Sequence, residues 1–142
     1  FRDVAGIARA PFLASHSNCN AVYRHPRSLT DRQIDCIITR GGLIGINLYR
    51  AFLGRPGSAG FAAAHRHIRH VLERGGEHVL ALGSDFDGCE LEPCFAGVEK
   101  LEAFQDYLLA NGMPQEQADA LFYKNAEKFF QTLLQPQTDM LK

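Results

Sequence analysis

The sequence has no apolar run of the length that a membrane-spanning helix needs. Such a helix takes roughly 18 or more apolar residues, and charged or glycine-rich segments interrupt every apolar stretch of these 142 residues. An excess of charge of one sign is also missing, because 15 basic and 16 acidic residues leave a formal net charge of −1. We therefore expect no transmembrane segment in this chain and no binding to nucleic acid or another polyanion.

Cysteine is scarce, and its spacing does not suit a structural zinc site. Cys19, Cys36, Cys89 and Cys94 form no C-x-x-C pair. Four cysteines in a chain of this length do not require a disulfide framework. We expect small buried or idle thiols.

The sequence begins at Phe1, without an initiator methionine or a signal segment. We therefore expect that a further segment precedes this chain in the protein. Any targeting signal would lie in that segment, so the sequence predicts no localisation.

The composition is typical of a globular protein, with 46% hydrophobic and 22% charged residues. We predict one structural unit over residues 1–134 and a loose tail over residues 135–142. No internal repeat or low-complexity tract divides the chain.

Three apolar runs without polar alternation predict strands that are covered on both faces, as in a parallel sheet. The predicted strands are residues 11–15, 43–48 and 78–83. Helical periodicity with capping signals predicts four helices, among them one that opens with a capping box at Thr30 and Gln33. The predicted helices are residues 30–40, 62–74, 98–110 and 114–134.

Strands that alternate with helices at this spacing predict an α/β fold built from βαβ units. A sheet of only three parallel strands leaves both of its edges open. The pattern therefore favours part of a (β/α)8 TIM barrel, a fold that takes about 250 residues when complete.

Polar residues follow the predicted strands at their carboxyl ends, where parallel α/β folds collect their chemistry. These residues are His16, Asn47 and Asp85. A histidine there can bind a divalent metal, and an aspartate can hold an ammonium group or transfer a proton. A hydrogen-bonded histidine that closes a strand, and a turn capped by carboxylates, are the structural alternatives.

Five segments together resemble the membrane (renal) dipeptidase family, peptidase family M19, in their order and spacing. The segments are ASHSN at 14–18, RHPRSLTD at 24–31, GGLIGIN at 41–47, HIRH at 67–70 and GSDFDG at 83–88. The resemblance extends from about Pro11 to Phe130 and places the chain at the C-terminal part of the barrel.

This resemblance implies a zinc-dependent enzyme of the metal-dependent hydrolase type that cleaves dipeptides, with two zinc ions per complete site. It implies that His16 is a ligand of one zinc ion and that Arg27 binds the carboxylate of the substrate. A guanidinium suits that bidentate task better than an ammonium group does. It further implies that Asp85 holds the free amine and relays a proton to the leaving nitrogen.

The chain departs from the family pattern in two respects. Ser28 follows Arg27 where the family usually has asparagine. The other zinc ligands of the family have no counterpart in this chain, and one imidazole cannot hold a catalytic zinc ion, which takes about three protein ligands. We therefore expect the chain to be inactive alone, and to be completed by a preceding part of the same protein or by a second copy.

The remaining histidines are interpreted as structural, because they lie away from the strand ends. They are His25, His65, His67, His70 and His78. Two other functions stay open for the complete protein. It could be a non-catalytic module that binds a small zwitterion, or another metal-dependent amidohydrolase that cleaves lactones or cyclic amides.

Overall fold

The computed structural model describes residues 1–55, 57 and 60–134, in which three strands alternate with helices. The strands are β1 (Leu13–Ala14), β2 (Leu43–Asn47) and β3 (Leu80–Ser84). The helices are α1 (Arg2–Ile7), α2 (Asp31–Thr39), α3 (Arg50–Leu53), α4 (Phe61–Glu73), α5 (Leu101–Ala110), α6 (Gln115–Asp119) and α7 (Asn125–Leu134). Two 3-10 turns, Pro93–Phe95 and Val98–Lys100, precede α5, and a π-helical turn, Ala120–Lys124, joins α6 to α7.

The three strands form one parallel sheet in the order β1-β2-β3. Leu13 pairs with Leu43, and Ile44 pairs with Leu80. An irregularity in the register lies between Ile46 and Asn47, next to the carboxyl end of β2. The predicted α/β class and the three predicted strands are thus confirmed, although β1 is shorter than the predicted residues 11–15.

The four predicted helical regions are also confirmed, with changes at their boundaries. The capping box before α2 is present, since Gln33 Oε1 accepts hydrogen bonds from the backbone and the hydroxyl of Thr30 at 2.8 and 3.0 Å. The single helix predicted over 114–134 consists of α6, the π-helical turn and α7, and the one over 98–110 begins as a 3-10 turn. The short helices α1 and α3 were not predicted, and the predicted tail lies outside the described residues.

The main hydrophobic core lies between the sheet and the helices that follow its strands. It includes buried side chains from α2, β2, α4, β3 and α5 and from the segments that connect these elements. The largest are Ile34, Ile37, Ile44, Ile46, Leu48, Leu53, Ile68, Leu80, Phe95, Phe104, Leu108 and Leu121. A smaller cluster joins Leu43 and Ala81 to Phe129 of α7. This packing fixes the strands whose ends carry the polar residues.

The sheet is open at both edges within the described residues, because β1 and β3 each pair only with β2. Leu13 of the edge strand β1 is 39% exposed. In residues 1–55, 57 and 60–134, no helix is both long and apolar enough to cross a membrane. An open three-stranded parallel sheet is the geometry expected for part of a barrel.

Candidate active site at the carboxyl ends of the strands

The fold places the predicted site residues together at the carboxyl ends of the three strands. Because the strands are parallel, the segments that follow β1 and β2 and the end of β3 lie on the same side. His16 follows β1, Asn47 ends β2, and Asp85 follows β3. Arg27, in the loop between β1 and α2, reaches the same side through its side chain.

His16 and Arg27 contact each other directly. Nη2 of Arg27 lies 3.1 Å from Nε2 of His16, and Oγ of Ser15 lies 2.7 Å from Nδ1 of the same ring. A guanidinium can only donate, so Nε2 acts as the acceptor and Nδ1 carries the proton in this arrangement. The imidazole is therefore neutral, and the lone pair that a metal would use points at Arg27.

Aromatic side chains support the Arg27 loop. The ring centroid of Phe52, on α3, lies 4.3 Å from that of His25 and 4.7 Å from that of Tyr49. The Arg27 guanidinium lies 5.7 Å from the Phe52 centroid, within the range of a cation–π contact. Arg27 N–H also donates to Nδ1 of His25 at 3.2 Å. We call His25, Tyr49 and Phe52 the aromatic shelf.

This shelf was not predicted from the sequence. The structural role assigned to His25 fits its support of the Arg27 loop, but α3 was missed and with it Phe52. The two aromatic residues shortly after β2, Tyr49 and Phe52, were the available signal, because segments after barrel strands line the site.

Asp85 is held by a hydrogen bond from β2. Nδ2 of Asn47 donates to Oδ2 of Asp85 at 3.0 Å. The loop around Asp85 has left-handed backbone at three residues that are not glycine, with φ of 40° at Ser84, 72° at Asp85 and 63° at Asp87. Strained backbone of this kind is concentrated at functional sites. The sequence predicts Asn47 at a strand end, but it does not reveal the link to Asp85.

A metal ion at the carboxyl ends of the strands could use the imidazole of His16. Neutral His16 has the chemistry of a zinc ligand. Among residues 1–55, 57 and 60–134, no three histidine, cysteine, aspartate or glutamate side chains are grouped so that they could hold a metal. The described residues could therefore contribute a ligand to a metal site, but they do not form a complete site by themselves.

The structural roles predicted for two other histidines are confirmed. His67 is fully buried; its Nδ1 accepts from the Cys19 backbone at 3.1 Å, and its Nε2 lies 3.2 Å from the carbonyl oxygen of Leu53. Burial lowers the pKa of His67 to about 4, so this ring is neutral at pH 7. His70 connects α4 to α2 through Asp31, at 2.8 Å.

All four cysteines are free, as expected. Burial, reinforced by the charge of Asp31, raises the pKa of Cys19 to about 12. Burial also raises the pKa of the Cys89 and Cys94 thiols. A thiol with a raised pKa is a weak nucleophile at neutral pH, so Cys19, Cys89 and Cys94 are poor candidates for a catalytic role.

Comparison with known proteins places this geometry in a family. The model of the membrane dipeptidase family (peptidase family M19) matches residues 1–140. A protein encoded in the pqqA 5′ region of Klebsiella pneumoniae, itself uncharacterised, is 37% identical over 129 residues, which are 88% of this chain and 48% of that protein. An uncharacterised dipeptidase of Schizosaccharomyces pombe is 32% identical over 75% of this chain and 26% of its own length.

Solved structures agree with the fold. A metallo peptidase from Rhodobacter sphaeroides, liganded with a phosphinate mimic of the dipeptide L-Ala-D-Ala, superimposes with a TM-score of 0.86 at 34% identity, over 92% of this chain and 38% of that one. The probable dipeptidase PvdM from Pseudomonas aeruginosa has the same fold, with a TM-score of 0.82 at 18% identity over 91% of this chain and 46% of that one. The predicted TIM-barrel architecture is confirmed. The chain spans less than half the length of the relatives that it matches.

Proposed function

Because the chain belongs to the membrane dipeptidase family, peptidase family M19, we propose that the complete protein is a zinc-dependent dipeptidase. The observation that supports the proposal is that His16, Arg27 and Asp85 all lie at the carboxyl ends of the strands. These three side chains offer a metal ligand, a cation for a carboxylate and an anion for an amine. A dipeptide presents the last two complementary charges at its opposite ends.

His16 would hold one of two zinc ions, with the other ligands supplied from outside the described residues. A bound zinc ion supplies Lewis-acid polarisation of the scissile carbonyl and activation of water at neutral pH. Nε2 of His16 has a single lone pair, which accepts from Arg27 in this structure. Binding of a metal at Nε2 would therefore release the Arg27 guanidinium for the substrate.

Arg27 would bind the C-terminal carboxylate of the dipeptide. Its planar guanidinium can donate two parallel hydrogen bonds to a carboxylate, which fixes the orientation as well as the position of that group. The face of Phe52 lies 5.7 Å from the guanidinium carbon and limits where the side chain can move. The aromatic shelf would thus set the distance between the bound carboxylate and the rest of the site.

Asp85 would bind the free ammonium group of the substrate, accept a proton from the attacking water and pass it to the leaving nitrogen as the peptide bond breaks. The carboxylate is tethered by Asn47, so it is in place before a substrate binds. The Rhodobacter sphaeroides enzyme is liganded with a phosphinate mimic of L-Ala-D-Ala. Dipeptides with a D-residue at the C-terminal position are therefore a substrate class to test.

The test is turnover of the complete enzyme on a panel of L,L- and L,D-dipeptides, lactones and cyclic amides. We expect zinc-dependent cleavage of the dipeptides that stops with a chelator and returns with zinc. Cleavage of the lactones or cyclic amides alone would instead show another amidohydrolase, and binding of dipeptides without cleavage would show a zwitterion-binding module. The same panel thus decides among the three functions.

The role of Asp85 has its own test in the complete enzyme. We expect Asp85→Asn to lower turnover by about 100-fold or more, the usual contribution of general acid–base catalysis, with the zinc content unchanged. Asp87→Asn is the matched control, because Asp87 is an exposed residue of the same loop with a similar φ of 63°. Equal turnover of the Asp85→Asn variant and the wild-type enzyme would remove Asp85 from the mechanism.

A further inference from the structure

Asn47 is a fully buried polar residue at the end of β2, with 0% of its surface exposed. Its side chain makes two contacts: Nδ2 donates to Oδ2 of Asp85 at 3.0 Å, and Oδ1 accepts from Tyr49 N–H at 2.6 Å. Its backbone makes two more, both with the buried Asn18: Asn47 N–H donates to Asn18 Oδ1, and Asn18 Nδ2 donates to the Asn47 carbonyl, each at 3.1 Å. Asn47 is therefore fixed on all sides.

These contacts determine which way the amide of Asn47 faces. The backbone N–H of Tyr49 can only donate, so the atom next to it is the carbonyl oxygen Oδ1. Nδ2 is then the atom that faces Asp85, and it presents a donor to a carboxylate that can only accept when ionised. The hydrogen bond therefore fixes the position of the Asp85 carboxylate.

The backbone of Asp85 does not fix the carboxylate by itself. Ser84 and Asp85 both have left-handed backbone, a conformation that costs such residues of order 1 kcal/mol or more and persists only where the surroundings impose it. The Asn47 amide is a contact from a buried strand onto this strained loop. It therefore ties a loop residue to the rigid part of the fold.

We propose that Asn47 is a positioning residue, which holds the Asp85 carboxylate where it meets the substrate ammonium group, with Asn18 as its own support. The inference deepens the proposed function and rests on it for the identity of the bound group. Asn47 acts through Asp85 and does not itself contact the substrate.

Asn47→Asp changes a single atom of the contact. The variant keeps an oxygen to accept from Tyr49 N–H and keeps both backbone hydrogen bonds with Asn18, but it replaces the donor that faces Asp85 by an oxygen. Two carboxylates then face each other at about the distance of the present hydrogen bond, where like charges repel. In the complete enzyme we expect KM for a dipeptide to rise about tenfold, since a hydrogen bond to a charged group contributes at least that factor.

Asn125→Asp is the matched control, because Asn125 also donates from Nδ2 to β3, but at the opposite end. It bonds the carbonyl oxygens of Glu77 and Leu80 at 2.7 and 2.8 Å. We expect this variant to lower the Tm and to leave KM within about twofold of the wild-type value, because partial unfolding removes active enzyme without changing the affinity of the rest. An Asn47→Asp variant with the KM of the control would overturn the inference.

The exchange variant, N47D with D85N, tests the contact independently of turnover. It restores one amide and one carboxylate to the pair with the direction of donation reversed. We expect N47D alone to lower the Tm of the complete protein and the exchange variant to recover most of that loss. No recovery would show that Asn47 does not hold Asp85, whereas a wild-type enzyme that cleaves no dipeptide would count against the proposed function alone.

Discussion

Ser28 lies next to Arg27 and carries a buried hydroxyl without a hydrogen-bond partner in the described part of the chain. The residue is 8% exposed. A buried polar atom that makes no hydrogen bond loses its interaction with water and gains nothing in return. This is also the position at which the resemblance implies asparagine, whose polar side chain is larger than that of serine.

We expect Ser28→Ala to leave the free energy of unfolding of the complete protein unchanged, or to raise it by up to about 1 kcal/mol. Thr30→Ala is the control, because the Thr30 hydroxyl belongs to the capping box of α2, and its loss should cost about 1 kcal/mol. Urea denaturation measures both. If the two variants lose equal stability, the Ser28 hydroxyl has a partner and our account of the loop is wrong.

Burial of the His67 side chain makes the stability of the folded chain depend on pH. Its pKa is about 4 in the folded chain, against 6.5 for a free histidine side chain, and burial is the main cause. The unfolded state therefore binds a proton between these values while the folded state does not. Stability is complete above about pH 6.5 and falls as the pH falls towards 4, by up to about 3 kcal/mol at 1.36 kcal/mol per pH unit.

His67→Gln removes this titration and still offers one acceptor and one donor to Cys19 and Leu53. We expect the variant to be less stable at pH 7, because its packing is altered, but to lose less stability than the wild-type protein between pH 6.5 and 4. Urea midpoints at several pH values measure the difference. Parallel pH curves for the two proteins would show that His67 is not the titrating group.

The site residues differ in how far the sequence could predict their positions. His16 and Asp85 were predictable, because each follows a recognisable apolar strand and parallel strands bring their ends together. Arg27 was identified only through the resemblance, since a loop arginine has no pattern of its own. The Asn47–Asp85 hydrogen bond depends on the register of β2 and β3 and on the irregularity after Ile46, which no local signal encodes.

At the scale of elements, two glycines let the strands approach closely beneath the site. A Cβ atom at Gly83 would lie 2.1 Å from the carbonyl oxygen of Ser15, and one at Gly45 would lie 2.2 Å from the same oxygen. This oxygen is a backbone atom and cannot move independently. The end of β1, which carries His16, therefore packs directly on β2 and β3.

We expect Gly83→Ala to cost about 3 kcal/mol or more, because the added methyl group overpacks against backbone. Gly6→Ala is the control: Gly6 lies in α1 with no atom within 4 Å of an added Cβ, and alanine in a helix gains up to about 1 kcal/mol over glycine. Denaturant unfolding of the complete protein gives both values. A Gly83→Ala variant as stable as Gly6→Ala would contradict the close packing.

Elements with strong local signals were predicted, and elements that depend on tertiary contacts were missed. The α2 helix has a capping box and apolar residues at helical spacing, so its position was clear from the sequence. The short helix α3 has only Arg50–Leu53, too few residues for a periodic signal. It is fixed by packing, since Leu53 is fully buried and its carbonyl oxygen contacts His67.

At the scale of the whole molecule, both the sheet and the proposed site lack parts that a complete barrel enzyme would have. The edges of β1 and β3 have no further strand among the described residues, and no three metal-binding side chains are grouped there. Composition and strand count predicted an open sheet, but the missing ligands followed only from the resemblance to a larger family. Both observations fit the proposal that groups outside the described residues complete the site.

We therefore expect the 142-residue chain to bind zinc weakly by itself and to hydrolyse no dipeptide. A single histidine cannot form a catalytic zinc site, which takes about three protein ligands and a water molecule. Equilibrium dialysis with zinc and a dipeptide assay of the isolated chain, each beside the complete protein, measure the two properties. His16→Ala in the complete protein should reduce its bound zinc from two ions towards one, because it removes a ligand from one of the two proposed metal positions. Stoichiometric zinc and turnover in the isolated chain would mean that its own residues build a site, and the proposal that outside ligands complete it would be wrong.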